Sequence, residues 1–144
     1  FPQESGFYDI GPRAYSISSA PNNNNYFELT IQKVGQFTTK LFETKLNQKF
    51  LFTGPHGKFN IPENKQEIVF LTGGAGITPF LSMIRDLNNK KKDTNVTIFY
   101  SCKTPEMIIR RKEIEEICNK NKTIKCHFTI TRPTDANKHW KGLT

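Results

Sequence analysis

Five segments between Glu67 and Thr131 alternate between strand-like and helix-like patterning, and that alternation restricts the chain to few folds. "EIVFLT" is a continuous apolar run of the buried-strand type, "NVTIFYS" a second strand, and "TIKCHFTIT" a third that puts Ile124, Cys126, Phe128 and Ile130 on one face. Between them, "PFLSMIRDL" places Phe80, Met83, Ile84 and Leu87 on one helical stripe. "PEMIIRRKEIEEICNKN" predicts a second helix with Ile114, Ile117 and Cys118 facing inward. A βαβαβ series belongs in a parallel sheet covered by helices and joined by right-handed crossovers.

Ahead of this series the periodicity changes. Phe27, Leu29 and Ile31 alternate with Glu28, Thr30 and Gln32, and "KFLFT" reads as a second short strand, so this part is expected to be antiparallel β-structure. "GQFTTKLFETKL" suits a short helix entered from a turn at Gly35. In "GPRAYSISSAP", strand alternation puts Arg13 and Tyr15 on one face and turns Ser16 to the other. The polar, proline-bearing stretch Ile61 to Glu67 is the best linker candidate, and it divides the chain into 1–62 and 63–144.

"LTGGAGITPFLSMI" has the most specific local context. A strand ends at Leu71, glycines follow at 73, 74 and 76, and a helix starts near Pro79, whose ring fits a first helical position. Such a turn lets the backbone approach a bulky anion, and the positive end of the helix favours phosphate. Pro79 stands where a third fingerprint glycine is usual, there is no Lys-Ser/Thr ending, and the second strand closes on Ser101, Cys102 and Lys103 rather than on an acidic ribose ligand.

Composition narrows the classes further. The 144 residues carry a net charge of +8 from 21 Lys+Arg against 13 Asp+Glu. Much of that charge lies in Asn/Lys-rich loops such as "LNNKKKDTN", and no aromatic-interleaved basic strand or zinc-finger spacing marks a nucleic-acid reader. No run approaches the roughly 20 apolar residues of a membrane span. Cys102, Cys118 and Cys126 are too far apart for C-x-x-C spacing, which predicts reduced thiols in a cytoplasmic compartment, with no metal site and no disulfide framework. None of His56, His127 and His139 sits in a catalytic pair pattern.

Taken in order, "RAYS", "GQFTTKL", "GPHGKF", "TGGAGITP" and "TRP" with "WKGLT" resemble the ferredoxin–NADP reductase superfamily of flavin oxidoreductases. The resemblance implies a partial antiparallel β-barrel that binds FAD (1–62), followed by an α/β nucleotide-binding domain with a parallel sheet (63–144), with hydride passing between NAD(P)H and FAD. By this resemblance Arg13 pairs with a flavin phosphate, Tyr15 packs against the isoalloxazine and Ser16 lies near flavin N5. Gly35 and Thr38 form a second phosphate turn, while Gly54, Gly57 and Phe59 belong to the closing barrel strand. Gly74, Gly76, Thr78 and Pro79 form the nicotinamide-cofactor turn, and Ser101, Lys103, Thr131 and Arg132 line its adenosine end.

The implied activity is an NAD(P)H-dependent flavoprotein reductase exchanging single electrons with an iron–sulfur or haem protein, in either direction. A non-catalytic flavin- or nucleotide-binding subunit or sensor is the alternative. The choice between NADH and NADPH stays open, because Lys103 stands where many relatives have arginine. Only about a dozen residues precede the RAYS motif, and "HWKGLT" stops where such reductases continue, so a fragment open at both ends is expected. If Tyr15 and Ser16 serve the same cofactor, the strand that carries them must end or kink between them.

Overall fold

In the computed structural model, residues 11–21, 25–90, 93–133, 140 and 142 are described. The second half forms the expected series: β1 (Glu67–Gly73), a 3-10 turn (Gly74–Ile77), α2 (Thr78–Lys90), β2 (Asn95–Cys102), α3 (Arg111–Lys120) and β3 (Ile124–Ile130), with α1 (Gly35–Phe42) ahead of it. The strands are parallel in the order β1-β2-β3. The register sets Phe70 beside Ile98, Ile98 beside Cys126, and Gly73 beside Ser101.

Parallel neighbours joined in sequence order by right-handed crossovers receive both helices on one face of the sheet. Core packing follows from this. Phe70, Val96, Ile98, Tyr100 and Ile124 are buried together with Phe80, Leu81, Met83, Ile84 and Leu87 of α2 and Ile114 and Ile117 of α3. The opposite face carries Val69, Leu71 and Phe99, which are 60%, 72% and 41% exposed among the described residues. The expectation that "EIVFLT" is buried throughout is therefore corrected: β1 buries only Phe70 fully, because a single face of the sheet is covered.

Two further expectations change. The second helix does not begin at Pro105. A short 3-10 turn spans Pro105–Met107, Ile108 is extended and buried, and Arg110 adopts a left-handed conformation (φ 55°) immediately before α3 starts at Arg111. In the first half, 27–31 and 49–53 do not form strands, and neither do residues 11–16. A strand exists only where a ladder partner is present, and here the described residues supply one antiparallel bridge, Ile17 with Leu29. The two expected strands nonetheless meet through their side chains, with the Phe27 and Phe52 rings 4.8 Å apart. The short helix at Gly35 is present as read, and of the expected linker Ile61 to Glu67, residues 61–66 lie outside helices and strands while Glu67 opens β1. No described helix is long and apolar enough to cross a membrane.

The first half is fastened to α2 and α3 by polar contacts. Ser18 N–H donates to Glu28 O (2.8 Å), and this pair is held from below by Arg85 of α2. The Arg85 guanidinium donates to Ser18 O (2.7 Å), to Glu28 Oε2 (2.6 Å) and, through two nitrogens, to both carboxylate oxygens of Glu113 (2.6 and 2.9 Å). Ser82, one turn earlier, donates to Ser19 O at 2.6 Å. A recess of about 350 Å³ opens beside this junction between Tyr26, Asn88 and Lys120, so the ion pairs are partly hydrated.

Arg85 holds the Glu113 carboxyl below its ordinary 4.5, with burial opposing the effect, and Glu113 in turn raises Arg85 above its usual value. A depressed carboxylate contributes stability that is present above its unfolded value and lost as pH falls through its folded value. Thermal unfolding followed through and below pH 4.5 is expected to show a steeper loss of stability for the wild type than for Glu113→Gln; parallel curves would show that the pair contributes nothing.

Candidate functional site

At the C-terminal edge of a parallel sheet, strands end and helices begin, so a crevice forms there in open α/β folds. The structure brings the expected nucleotide-site residues to this edge. Gly74 takes φ +50° in the 3-10 turn, a conformation that side-chain-bearing residues rarely adopt, and open space surrounds the position its Cβ would occupy. At Gly76 a Cβ would lie 3.2 Å from Thr72 Oγ1, so the close approach of turn to strand requires a small residue. Thr78 is buried and its hydroxyl donates to Ala75 O (2.6 Å), closing the turn from inside; Pro79 follows as the second residue of α2.

Across the crevice, Thr131 N–H donates to Cys102 O (2.9 Å) and Arg132 N–H to Lys103 O (3.0 Å). These bonds continue the β2–β3 pairing past the strand ends and bring two exposed cations, Lys103 and Arg132, onto adjacent backbone. Ser101, half-buried, pairs in register with Gly73 on one side and Thr129 on the other.

The second group of expected residues gathers at the start of α1. Gly35 opens the helix at φ +76°, and Phe37 in its first turn is the common neighbour of Arg13, whose guanidinium carbon is 5.9 Å from the ring centroid, and Tyr15, whose ring is 6.1 Å away. Arg13 and Tyr15 are thus on one side, as alternation predicts, although no strand carries them. Arg13 is exposed and bonds only to the neighbouring Pro12 O (2.9 Å) among the described residues. A guanidinium beside a helix N-terminus is a favourable place for phosphate. Thr38 is used differently: it is buried, and its hydroxyl accepts from Val34 N–H (2.6 Å) and lies within bonding distance of Val34 O and Gly35 O, so it shapes the turn from within. Ser16 is exposed and stands just before the Ile17 bridge, where strand alternation does not yet apply. Gly54, Gly57 and Phe59 lie in an exposed loop, from which Phe59 reaches the Phe80 ring of α2 at 5.5 Å. His56 and His127 are exposed, and His139 lies outside the described residues.

Three residues that sequence reasoning missed complete the picture. Thr72 Oγ1 is buried without a hydrogen-bond partner among the described residues and lies 3.2 Å from where a Cβ on Gly76 would stand, a polar atom beside the glycine turn. Tyr100, fully buried, donates to Gly74 O (2.9 Å) and accepts from Ile109 N–H (3.1 Å), tying the turn to the segment before α3. Burial raises its pKa, so it stays a donor at ordinary pH. Phe37 is the third; an aromatic in the first turn after Gly35 was its only signal. The residues present therefore offer two separate groupings that suit anionic nucleotides: open glycine backbone, the Thr72 hydroxyl and adjacent cations in one, and cation, aromatic and helix N-terminus in the other. Tyr100→Phe leaves Gly74 O and Ile109 N–H unpaired and is expected to cost about 1–3 kcal/mol of stability in denaturant unfolding; an unchanged midpoint would show that the hydroxyl does not hold the turn.

Comparison with known proteins agrees with both halves. The family described as an oxidoreductase NAD-binding domain matches residues 70–144, and an oxidoreductase FAD-binding domain matches residues 10–61. The glycine betaine monooxygenase reductase subunit of Chromohalobacter salexigens is 29% identical over 137 residues, covering 91% of this chain and 37% of that protein. NADH-cytochrome b5 reductase 2-B of Vanderwaltozyma polyspora is 33% identical over 128 residues, covering 85% of this chain and 42% of that protein. The solved ferredoxin-NADP+ reductase from Plasmodium falciparum superposes with a TM-score of 0.76 at 25% identity, covering 90% of this chain and 55% of that one. The chain thus spans less than half the length of these two curated relatives. FAD and NAD(P)H are the cofactors these domains are built for. With its NAD-binding domain preceded by an FAD-binding one, the chain belongs to the ferredoxin–NADP reductase superfamily.

Proposed function

We propose that the protein carrying this chain is an NAD(P)H-dependent flavoprotein reductase, with residues 1–62 contributing part of an FAD-binding β-barrel and residues 63–144 the NAD(P)-binding domain. The observation that supports the reading is that one chain carries two separate groupings of residues suited to anions. One is built on Arg13, Tyr15 and the Gly35 turn, the other on the Gly74–Gly76 turn with Lys103 and Arg132. A single nucleotide binder needs only one. When bound, flavin accepts a hydride from nicotinamide and releases electrons singly, so the protein itself needs no general base.

The chain's residues bind and orient. Arg13 offers its guanidinium to a flavin phosphate, and backbone amides at Gly35, shaped by Thr38, take the other. Tyr15 packs against the isoalloxazine, and Ser16, exposed beside it, presents a hydroxyl toward N5. Thr72, Gly74, Gly76, Thr78 and Pro79 seat the nicotinamide half of the second cofactor, and Ser101, Lys103, Thr131 and Arg132 its adenosine half. Two cations on adjacent backbone suit a 2′-phosphate, yet neither alone separates NADPH from NADH.

The electron partner is an iron–sulfur or haem protein, in keeping with relatives named as cytochrome b5 and ferredoxin-NADP+ reductases. The net charge of +8 favours an acidic carrier. The wide spacing and odd number of Cys102, Cys118 and Cys126 suit a reducing, cytoplasmic-type compartment.

Paired variants test the two-site reading. Arg13→Ala is expected to weaken FAD retention about tenfold to a hundredfold, whereas Gly74→Val keeps the flavin and loses its bleaching by nucleotide. Identical effects of the two changes would overturn the division of the sites. Reduction of an acidic carrier should slow as salt rises, and a salt-independent rate would remove the charge-based partner assignment.

A further inference from the structure

Arg85 is placed unlike any other charged side chain of the described residues. Its guanidinium is 14% exposed and satisfies three partners at once: the Ser18 carbonyl, the Glu28 carboxylate and both oxygens of the Glu113 carboxylate. Ser18 lies three residues after Tyr15 and pairs with Glu28 through Ser18 N–H to Glu28 O; Ser19 Oγ in turn accepts from Glu28 N–H at 3.1 Å. Arg85 therefore grips the backbone that carries the flavin-side residues. It does so from α2, the helix whose first residue, Thr78, closes the glycine turn, and seven residues of helix separate Thr78 from Arg85 by about 10 Å. Ser82, on the same side of α2, adds the bond to Ser19 O.

Resting on the flavin reductase reading above, we propose that Arg85 is a positioning residue for the reaction, setting the relative placement of the flavin-side segment 13–19 and the nicotinamide turn 73–78 through α2. The physical basis is stiffness. The bonds run from a well-packed helix to backbone and to short carboxylate contacts, so the two ligand-bearing segments move as one body. Transfer between two bound rings depends steeply on their separation, and a displacement of about 1 Å costs about a hundredfold in rate. Arginine is required because its planar fork spans all three partners, whereas the point charge of lysine cannot.

The test compares wild type with Arg85→Lys in the complete protein, which keeps the charge and loses the fork. Hydrogen exchange of cofactor-free protein, read at the Ser18 and Glu28 amides, is expected to accelerate about tenfold. In protein loaded with FAD, the limiting rate of bleaching by NAD(P)H is expected to fall about tenfold to a hundredfold, while FAD retention and nucleotide affinity stay within about twofold. Faster exchange with an unchanged limiting rate would assign Arg85 a structural role only and overturn the proposal, as would a loss confined to FAD or nucleotide affinity. If Arg85→Lys does not fold, Ser82→Ala carries the same pattern at about threefold to tenfold, and a wild-type limiting rate in that variant overturns it. Wild-type protein that takes up FAD but is bleached by neither nucleotide would instead refute the reductase reading, and this proposal with it.

Discussion

Parallel strand pairing is the constraint on which the rest of this structure depends. Because β1, β2 and β3 run in one direction, each connection must cross over through a helix, and all three strands end on the same edge. That edge gathers positions far apart in sequence: the Gly74–Gly76 turn, Ser101 to Lys103, and Thr131 with Arg132. Right-handed crossovers then place α2 and α3 on one face, which buries Tyr100 and allows its hydroxyl to brace the glycine turn from within the core. Core and site are thus products of one topological requirement.

Among the described residues the first half of the chain has no such ladder and depends on what it is fastened to. Its hydrogen-bonded pairing is brief, from Ser18 to Glu28, and its order is imposed by Arg85 and Ser82 on one side and by Phe59 against Phe80 on another. Arg85 is paired with two carboxylates and a backbone carbonyl, so it meets the condition under which a half-buried ionic group is tolerated. What such a junction adds is geometric specificity more than net stability.

Legibility in the sequence followed the range of the interactions. The βαβαβ half was readable because its signals are local: the stripe Phe80, Met83, Ile84, Leu87 is buried as its spacing requires, and of the alternation Ile124 to Ile130 the two end residues are buried while Cys126 and Phe128 are partly so. Where the reading failed, a distant partner decided. Residues 27–31 carry strand periodicity, but periodicity supplies no ladder, and only Leu29 found one. Val69 and Leu71 look like buried-strand residues, yet burial depends on which face the helices take. Arg110 in a left-handed conformation, which delays α3, has no composition signal at all. Of the site, the glycine turn and the Arg13–Tyr15 pair were visible as motifs. Thr72 and Tyr100 were not, since an orphaned hydroxyl and a buried phenol bridging residues 74 and 109 exist only in three dimensions. Nor was Arg85, whose partners lie 28, 57 and 67 residues away.

Central to this account is that one polypeptide holds a flavin and a nicotinamide nucleotide in contact. Its most direct test is anaerobic titration of the FAD-loaded protein with NADH and, separately, NADPH, followed by the yellow flavin absorbance. The account predicts complete bleaching at one equivalent of the preferred nucleotide per bound flavin, two electrons passing in each event. A protein that takes up no FAD, or whose flavin keeps its colour with both nucleotides, would contradict it.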